Sequence, residues 1–446
     1  MVLPQKSISL LVLYSLLAGP AFAGTVRTAG AGTPLDPSAA PANVLLVSLD
    51  TLRADHLGTY GYRRKTSPEI DAIATRGVVF ERAVAPAPGT PPSHMSLFTS
   101  TLSCIHGIDG SVRDRAVSDQ LVLWPEILRD AGYATGAFTE NGWVTPTFGF
   151  DRGFDVFVEN TSPDLMAPTG QAEKTFSQAI DWIDRQDESP WFAFVHTYQV
   201  HDPYAPPPGM VEKVAPDHAG DRDSIDRANY DAEIFYTDGL LGDLVRRAEA
   251  ASGDRPILVI LFSDHGELFG EHGARKHSFW LYEELLHVPL IFYAPRLLEA
   301  RRIDRRVALI DVLPTVLDLL GLAGLPQAQG RSLDPLLRGG SLTDTPIFAE
   351  MTVLGRIAAY SGNQKSTVDL KQRSADVVDL ATDPSEDHPR KVDPLAGETL
   401  ALVEHYERLC ATPPSARRPG KELTPEVRRK LEALGYLETP PPPEAP

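Results

Sequence analysis

Residues 43–50 read Asn-Val-Leu-Leu-Val-Ser-Leu-Asp, an apolar run from Val44 to Leu49 that ends on a carboxylate. Runs of the same kind recur at Trp191 to Val195, Ile257 to Phe262 and Val288 to Tyr293. Between them lie segments with helical apolar spacing, such as Phe176 to Ile183 and Val312 to Leu320. Continuous apolar runs alternating with helices describe strands buried on both faces, because crossover helices cover both sides of a parallel sheet. The expected fold is therefore α/β, a mostly parallel central sheet with helices on both faces.

Working outward from Asn43, residues 24–42 (GTVRTAGAGTPLDPSAAPA) have no apolar period and read as a linker. Ahead of them, Lys6, the apolar run Ile8 to Leu17 and the small-residue pattern Ala21-Phe22-Ala23 read as an export signal over residues 1–23. A membrane anchor needs about 20 apolar residues, and this run is shorter and is followed by Gly19-Pro20. A periplasmic or secreted protein without a stable membrane anchor is expected. Cys104 and Cys410 could then pair, since oxidising compartments permit disulfides, or stay as separate buried thiols.

The catalytic part is expected over residues 43–345. After Pro346 the strand candidates become short, Ile347 to Ala349 and Ile357 to Tyr360, which suggests a small C-terminal α+β subdomain over residues 346–436. Thr424 as N-cap, Pro425 at the first helical position and Gly435 past the end mark a final helix over 425–434. The tail 437–446 is Pro-rich and reads as extended.

The chain of 446 residues carries 42 Lys+Arg against 60 Asp+Glu, a formal charge of −18. A chain this acidic, with no Lys/Arg cluster, is not built for a phosphate backbone, whose affinity comes from cations that release counterions. Nucleic acid is excluded as a partner on that ground.

Three apolar runs end in ionisable residues: Asp50, the stretch His196 to His201, and Asp264-His265. Open parallel sheets bind ligands at the carboxyl ends of their strands, so these residues are candidates for one site. Two carboxylates and an imidazole suit a divalent cation. Pro88-Gly89-Thr90-Pro91-Pro92-Ser93-His94 leads into a helix, placing Thr90 at or next to its N-cap, where unpaired N–H groups favour an anion. Taken by itself, Thr90 reads equally as a simple cap. The stretch Ser263 to His277 holds three His and a Lys, with Lys276 and His277 as candidates to bind a dianion's oxygens, and Glu267, Glu271 and Arg275 as surface charge. Its spacing is not that of a zinc-peptidase helix.

In order along the chain, these segments resemble the sulfatase branch of the alkaline phosphatase superfamily over nearly all of residues 43–390. NVLLVSLDTLRADHLGTYGY resembles the family's first strand with its metal Asp, and TPPSHMSLFTS followed by Ile105-His106-Gly107 resembles its nucleophile helix. WFAFVHTYQVHDPYAPP, LFSDHGELFGEHG and LYEELLHVPLIF resemble the active-site His strand and the second metal strand with its continuation. The resemblance implies one divalent metal held by Asp50, Thr90, Asp264 and His265. It implies Thr90 as nucleophile, with His201 and Lys276 or His277 holding non-bridging oxygens or protonating the leaving group. His94 stands where the family's C/S-x-P-x-R has arginine, and is a catalytic candidate at that position. Thr51 replaces the second acid.

Threonine cannot become formylglycine, and neither Cys104 nor Cys410 has the Pro and Arg that follow a formylglycine cysteine. A formylglycine hydrate releases sulfate by collapsing to an aldehyde, whereas a threonine ester must be opened by attack at the central atom, as is normal for phosphoryl groups. The expected activity is hydrolysis of a phosphate ester or phosphonate on a small-molecule, glycan or lipid substrate. The alternatives are a sulfuric ester hydrolase, a transferase moving a phospho-head group, and an inactive binding homologue. His265 favours Zn or Mn, while an all-oxygen set completed by water would take Ca or Mg.

Overall fold

The computed structural model describes residues 42–411 apart from 110–115, 141, 162–169, 187–188 and 278. The anticipated signal segment, linker, final helix at 425–434 and Pro-rich tail lie outside the described residues.

Ten strands of the first part form two sheets. The large sheet contains β1 (Asn43–Leu49), β2 (Val78–Val84), β3 (Ala134–Glu140), β4 (Val156–Asn160), β5 (Trp191–Thr197) and β6 (Ile257–Phe262). The short strands β7 (Leu268–Phe269) and β8 (Arg275–Lys276) form a separate ribbon, after which β9 (His287–Tyr293) and β10 (Arg301–Ala308) return to the large sheet. The order across it is β10-β2-β9-β6-β1-β5-β3-β4. Every pairing is parallel except those of β9, which runs antiparallel to both β2 and β6.

The exception has a topological reason. Residues 263–286 make no crossover; they stay above the carboxyl end of β6, so the next strand must run back down. The apolar run Val288 to Tyr293, expected like the others to be parallel, is the one that reverses. As a result the whole segment 263–286 is held over the carboxyl ends of the central strands.

β1 is buried along its whole length and sits at the middle of the sheet, between β5 and β6. Its side chains alternate between two cores. Val44 and Leu46 pack with the helices Thr90–Thr99, Trp124–Asp130 and Val312–Leu319, while Leu45, Val47 and Leu49 pack with Pro68–Ala74, Ala172–Ile183 and Arg222–Ser252. Each buried Leu or Val of this kind contributes about 1.5–3 kcal/mol. Two covered faces explain why the strand sequences show no polar alternation.

The C-terminal part is an antiparallel meander of β11 (Ile347–Met351), β12 (Arg356–Ser361), β13 (Gln364–Asp369), β14 (Ser374–Asp379) and β15 (Arg390–Val392), closed by the helix Gly397–Cys410. Glu350 N donates to the Pro86 carbonyl at 2.8 Å, which fastens this subdomain to the chain just ahead of Thr90. Cys104 and Cys410 form a disulfide with a Cα–Cα distance of 5.6 Å, resolving the choice left open by sequence. Reducing it should lower stability by about 2–5 kcal/mol, because a very long loop is closed. Denaturant unfolding of Cys104→Ser against the native protein measures the effect.

Glu350 lies beside this bridge, buried, accepting from the backbone N–H groups of Ser103 and Cys104 and from Tyr406 Oη at 2.7 Å. Burial pushes its carboxyl up to about 7 against its partners' hydrogen bonds. Below pH 4.5 it is neutral whether the chain is folded or unfolded, so it costs nothing. Between 4.5 and 7 only the unfolded chain ionises freely, and stability falls as pH rises, by up to about 3 kcal/mol. Glu350→Gln should remove this slope, so its stability relative to the native protein should improve between pH 5 and 7.5 in parallel urea titrations. An unchanged slope would refute the assignment.

Candidate functional site

Four segments converge at the carboxyl ends of β1, β5 and β6. Asp50 follows β1, its N–H bonded to the Thr197 carbonyl at 3.1 Å, and Thr51 then turns through a left-handed conformation (φ 57°). Thr51 Oγ1 donates to the Val200 carbonyl at 3.1 Å, and Tyr230 Oη donates to the Thr51 carbonyl at 2.7 Å. The residue in the place of the family's second acid is thus a buried backbone brace.

Thr90 is the first residue of the helix Thr90–Thr99, with Gly89 as the extended N-cap and Pro91 and Pro92 in the first turn. Proline there gives up an N–H that had no partner in the helix. All ten residues of the helix are buried. Thr90 Oγ1 donates to Asp50 Oδ2 at 3.1 Å and stands 3.3 Å from His265 Nε2. Ser93 Oγ donates to the Asp264 carbonyl at 2.7 Å, so the helix is pinned to the β6 end as well.

Asp264 and His265 follow β6. His265 Nδ1 lies 2.9 Å from the Gly266 carbonyl; a carbonyl only accepts, so Nδ1 carries the proton and Nε2 presents a lone pair. That lone pair faces Asp264 Oδ2 at 3.4 Å and Asp50 Oδ1 at 3.8 Å. The tight path depends on Gly266, where an added Cβ would stand 1.9 Å from the Glu284 carbonyl oxygen.

The donor set fits a divalent cation. One ligand atom each from Asp50, Asp264 and His265 lies within 4.8 Å of the other two, all three residues fully buried. Among the described residues, Asp50 Oδ1 and Asp264 Oδ1 have no hydrogen-bond partner, and the ionisable bases within ion-pair distance are histidines. Buried carboxylates facing an imidazole lone pair repel one another unless a positive charge is shared among them. The protein groups alone show the strain: burial and then Asp264 raise the Asp50 carboxyl well above its usual range. Burial also opposes ionisation of Asp264, but His265 and His94 outweigh it and hold that carboxyl low. Burial lowers His265 to about 4 against the pull of Asp264, leaving the neutral ring a ligand requires.

His94 does not face outward as an arginine substitute would. It lies one turn beneath Thr90, fully buried, with Nδ1 3.0 Å from the Thr90 carbonyl and 3.3 Å from Asp264 Oδ2, and Nε2 2.9 Å from Ser48 Oγ. With its proton on Nδ1 it braces the Thr90 backbone from below. His196, on β5, packs edge-on against it with ring centroids 4.7 Å apart, its Nε2 3.6 Å from Asp50 Oδ2. Burial and His94 hold His196 neutral.

On the open side, the ribbon β7–β8 pairs Leu268 with Lys276, so the flanking residues Glu267 and His277 come opposite each other. His277 Nδ1 lies 3.1 Å from Glu267 Oε1, and its ring sits 4.5 Å from that of His265 and 5.0 Å from that of His201. His201 in turn directs Nδ1 at the Asp202 carbonyl. Burial lowers both rings to about 4, with His277 adding to the effect on His201. Of the pair Lys276 and His277, the structure brings His277 into the cluster; Lys276 is half exposed, with Nζ 3.6 Å from Asp202 Oδ2.

Glu267, read from sequence as surface charge, is buried, and burial pushes its carboxyl up to about 7. Tyr204 Oη donates to it at 3.3 Å. Nothing in the spacing distinguishes Glu267 from Glu271, which does lie farther out and pairs with Arg53 at 2.9 Å. Only the ribbon register separates the two. Ser48 and His196 were equally illegible as site residues, although both lie at the carboxyl ends of strands that sequence had placed.

A hydroxyl at a helix N-terminus, backed by carboxylates from two strand ends and ringed by histidines, defines a hydrolase site of the alkaline phosphatase kind on a doubly covered sheet. The family model described as Sulfatase matches residues 42–322, and the chain belongs to that family of ester-hydrolysing enzymes. It is 21% identical to the Delta 4,5-hexuronate-2-O-sulfatase of Bacteroides thetaiotaomicron over 82% of this chain and 88% of that protein. Among solved structures, the phosphonate monoester hydrolase of Agrobacterium radiobacter superposes with a TM-score of 0.66 at 21% identity, covering 83% of this chain and 95% of that one. A protein solved with a neocarrahexaose, Ps i-CgsB, gives 0.70 at 19% identity, covering 89% and 98%.

Proposed function

We propose that this protein hydrolyses a phosphate ester or phosphonate, with the unmodified Thr90 hydroxyl as nucleophile. The observation that carries the reading is the position of Thr90 Oγ1, 3.1 Å from Asp50 Oδ2 and 3.3 Å from His265 Nε2 at the first position of a buried helix. Asp50, Thr90, Asp264 and His265 would hold one divalent metal, with Zn or Mn suited to the imidazole. When bound, such an ion supplies Lewis-acid charge and lowers the pKa of a coordinated hydroxyl.

The chain's own groups set the geometry. Asp50 Oδ2 is the nearest acceptor for the Thr90 proton. The helix N-terminus and the N–H groups near Thr90 favour the developing charge on the substrate oxygens. Attack of Thr90 Oγ1 at phosphorus forms the P–O(Thr) bond and breaks the bond to the leaving oxygen, which takes a proton from His277 or His201. Water then attacks phosphorus, breaks the P–O(Thr) bond and restores the hydroxyl, as a threonine ester requires. Glu267 holds the His277 ring, Lys276 supplies charge at the rim, and His94 keeps the Thr90 turn in place.

A sulfate ester is the second reading, favoured by relatives described as sulfatases. An aryl phosphate, an aryl phosphodiester, an aryl phosphonate monoester and an aryl sulfate compared on the metal-loaded enzyme decide between them. The expected result is kcat/KM at least tenfold higher for one of the phosphorus substrates; a sulfate preference of that size would overturn the nucleophile argument. The relatives' sugar substrates make a glycan the natural carrier of the ester. We further propose the limits 43–345 for the catalytic part and 346–436 for the C-terminal part, and export to an oxidising compartment, which the Cys104–Cys410 bridge supports. Among the described residues no helix is long and apolar enough to cross a membrane.

A further inference from the structure

A cavity of about 330 Å³ lies in the seam between the β2–β10 edge and the C-terminal sheet, lined by Arg82, Arg305, Arg306 and Arg331 against Asp304 and Asp344. On a chain with a formal charge of −18, four guanidiniums in one cleft are a local inversion of sign. The sheet places two of them in direct opposition: Arg306 on β10 is the register partner of Arg82 on β2, beside an irregularity in the pairing. Like charges directly opposite on paired strands repel, and a strand irregularity re-aims side chains toward one place.

The compensation within the protein is incomplete. Arg82 pairs with Asp304 at 2.8 Å and Arg305 with Asp344 at 2.5 Å. Arg306 reaches Glu283 at 3.5 Å and lies over the Tyr360 ring at 4.7 Å, but its buried Nε has no hydrogen-bond partner among the described residues, although only 11% of the side chain is exposed. Arg331 donates to the Thr343 carbonyl, a neutral acceptor. A planar guanidinium presents paired N–H donors suited to two oxygens of one oxyanion. β2 is three strands from β1, roughly 14 Å at the usual strand spacing, so the cleft is separate from the site around Thr90.

We infer that this cleft is a second binding site for an oxyanion group, a sulfate, phosphate or carboxylate, borne by a free anion or by a remote part of a larger polyanionic ligand. Calorimetric titration of the metal-loaded protein with inorganic sulfate, inorganic phosphate and a sulfated hexasaccharide tests it. Binding to native protein should weaken at least tenfold in Arg82→Gln/Arg331→Gln and survive in Thr90→Ala. Saturation by inorganic anions identifies a free ion as ligand, and saturation by the hexasaccharide alone identifies a remote group; either supports the site. Should the double variant unfold, Arg331→Gln alone, checked by thermal unfolding, should still weaken binding several-fold while Arg331→Lys retains most of it. The inference is overturned if native protein shows no binding below tens of millimolar, or if binding vanishes in Thr90→Ala and is untouched by the arginine changes. It stands apart from the choice of phosphorus or sulfur ester, since its readout is binding at a distant cleft.

Discussion

Thr90→Ala should lower kcat by at least about a thousandfold, with fold and metal content retained, because it removes the only hydroxyl poised between Asp50 and His265. The substitution deletes two heavy atoms from a buried position and leaves the Gly89 N-cap, both prolines and the Ser93 bond to the Asp264 carbonyl in place, so the helix should persist. Thr90→Ser keeps the oxygen and should keep activity within roughly tenfold, which separates chemistry from packing. Circular dichroism and elemental analysis of each variant, beside turnover of the best panel substrate, complete the measurement. Substantial turnover by Thr90→Ala would remove the nucleophile, and a protein whose ligand affinity is its only function would show little change.

The second large effect is expected on removing the cation. Stripping the protein with a chelator should abolish turnover by a comparable factor and lower its thermal stability, since an ion that binds the folded state at a hundred times its Kd stabilises that state by about 2.7 kcal/mol. Here the loss has a structural cause. Asp50 and Asp264 would be left buried, each with an oxygen lacking a hydrogen-bond partner, against the lone pair of a neutral His265. Zn or Mn should restore both readings, and metals preferring an all-oxygen set should restore them less. Asp264→Asn should need far more metal for the same recovery, because it removes one ligand charge and the partner of His94 at 3.3 Å. Full activity in protein shown by elemental analysis to be metal-free would end this account.

Much of this architecture was legible along the chain. The runs ending at Leu49, Thr197 and Phe262 needed only their composition to be placed as doubly buried strands, and Asp50, Asp264 and His265 are one residue or two beyond such ends. Thr90 could be placed near a helix start by the Gly and Pro residues around it, yet its N-cap turned out to be Gly89. Val288 to Tyr293 was identified as a strand but not as a reversed one, since an apolar run has no direction written in it. Lys276 and His277 were equivalent candidates by sequence; alternation on a two-residue ribbon sends one to the rim and the other against His265.

What the sequence determined by itself is the local physics: which segments must be covered by others, where helices begin, and that no residue at position 90 can become an aldehyde. The tertiary structure decided which side chains meet. His94 became a brace under the Thr90 turn, Glu267 a buried partner of His277, Cys104 and Cys410 a bridge, and four scattered arginines one cleft. These outcomes depend on strand order, register and the path of residues 263–286, which bring together groups far apart in the chain. Burial then changes their chemistry, because a carboxylate or imidazole in a low-dielectric setting behaves according to the few atoms around it and not according to its neighbours in sequence.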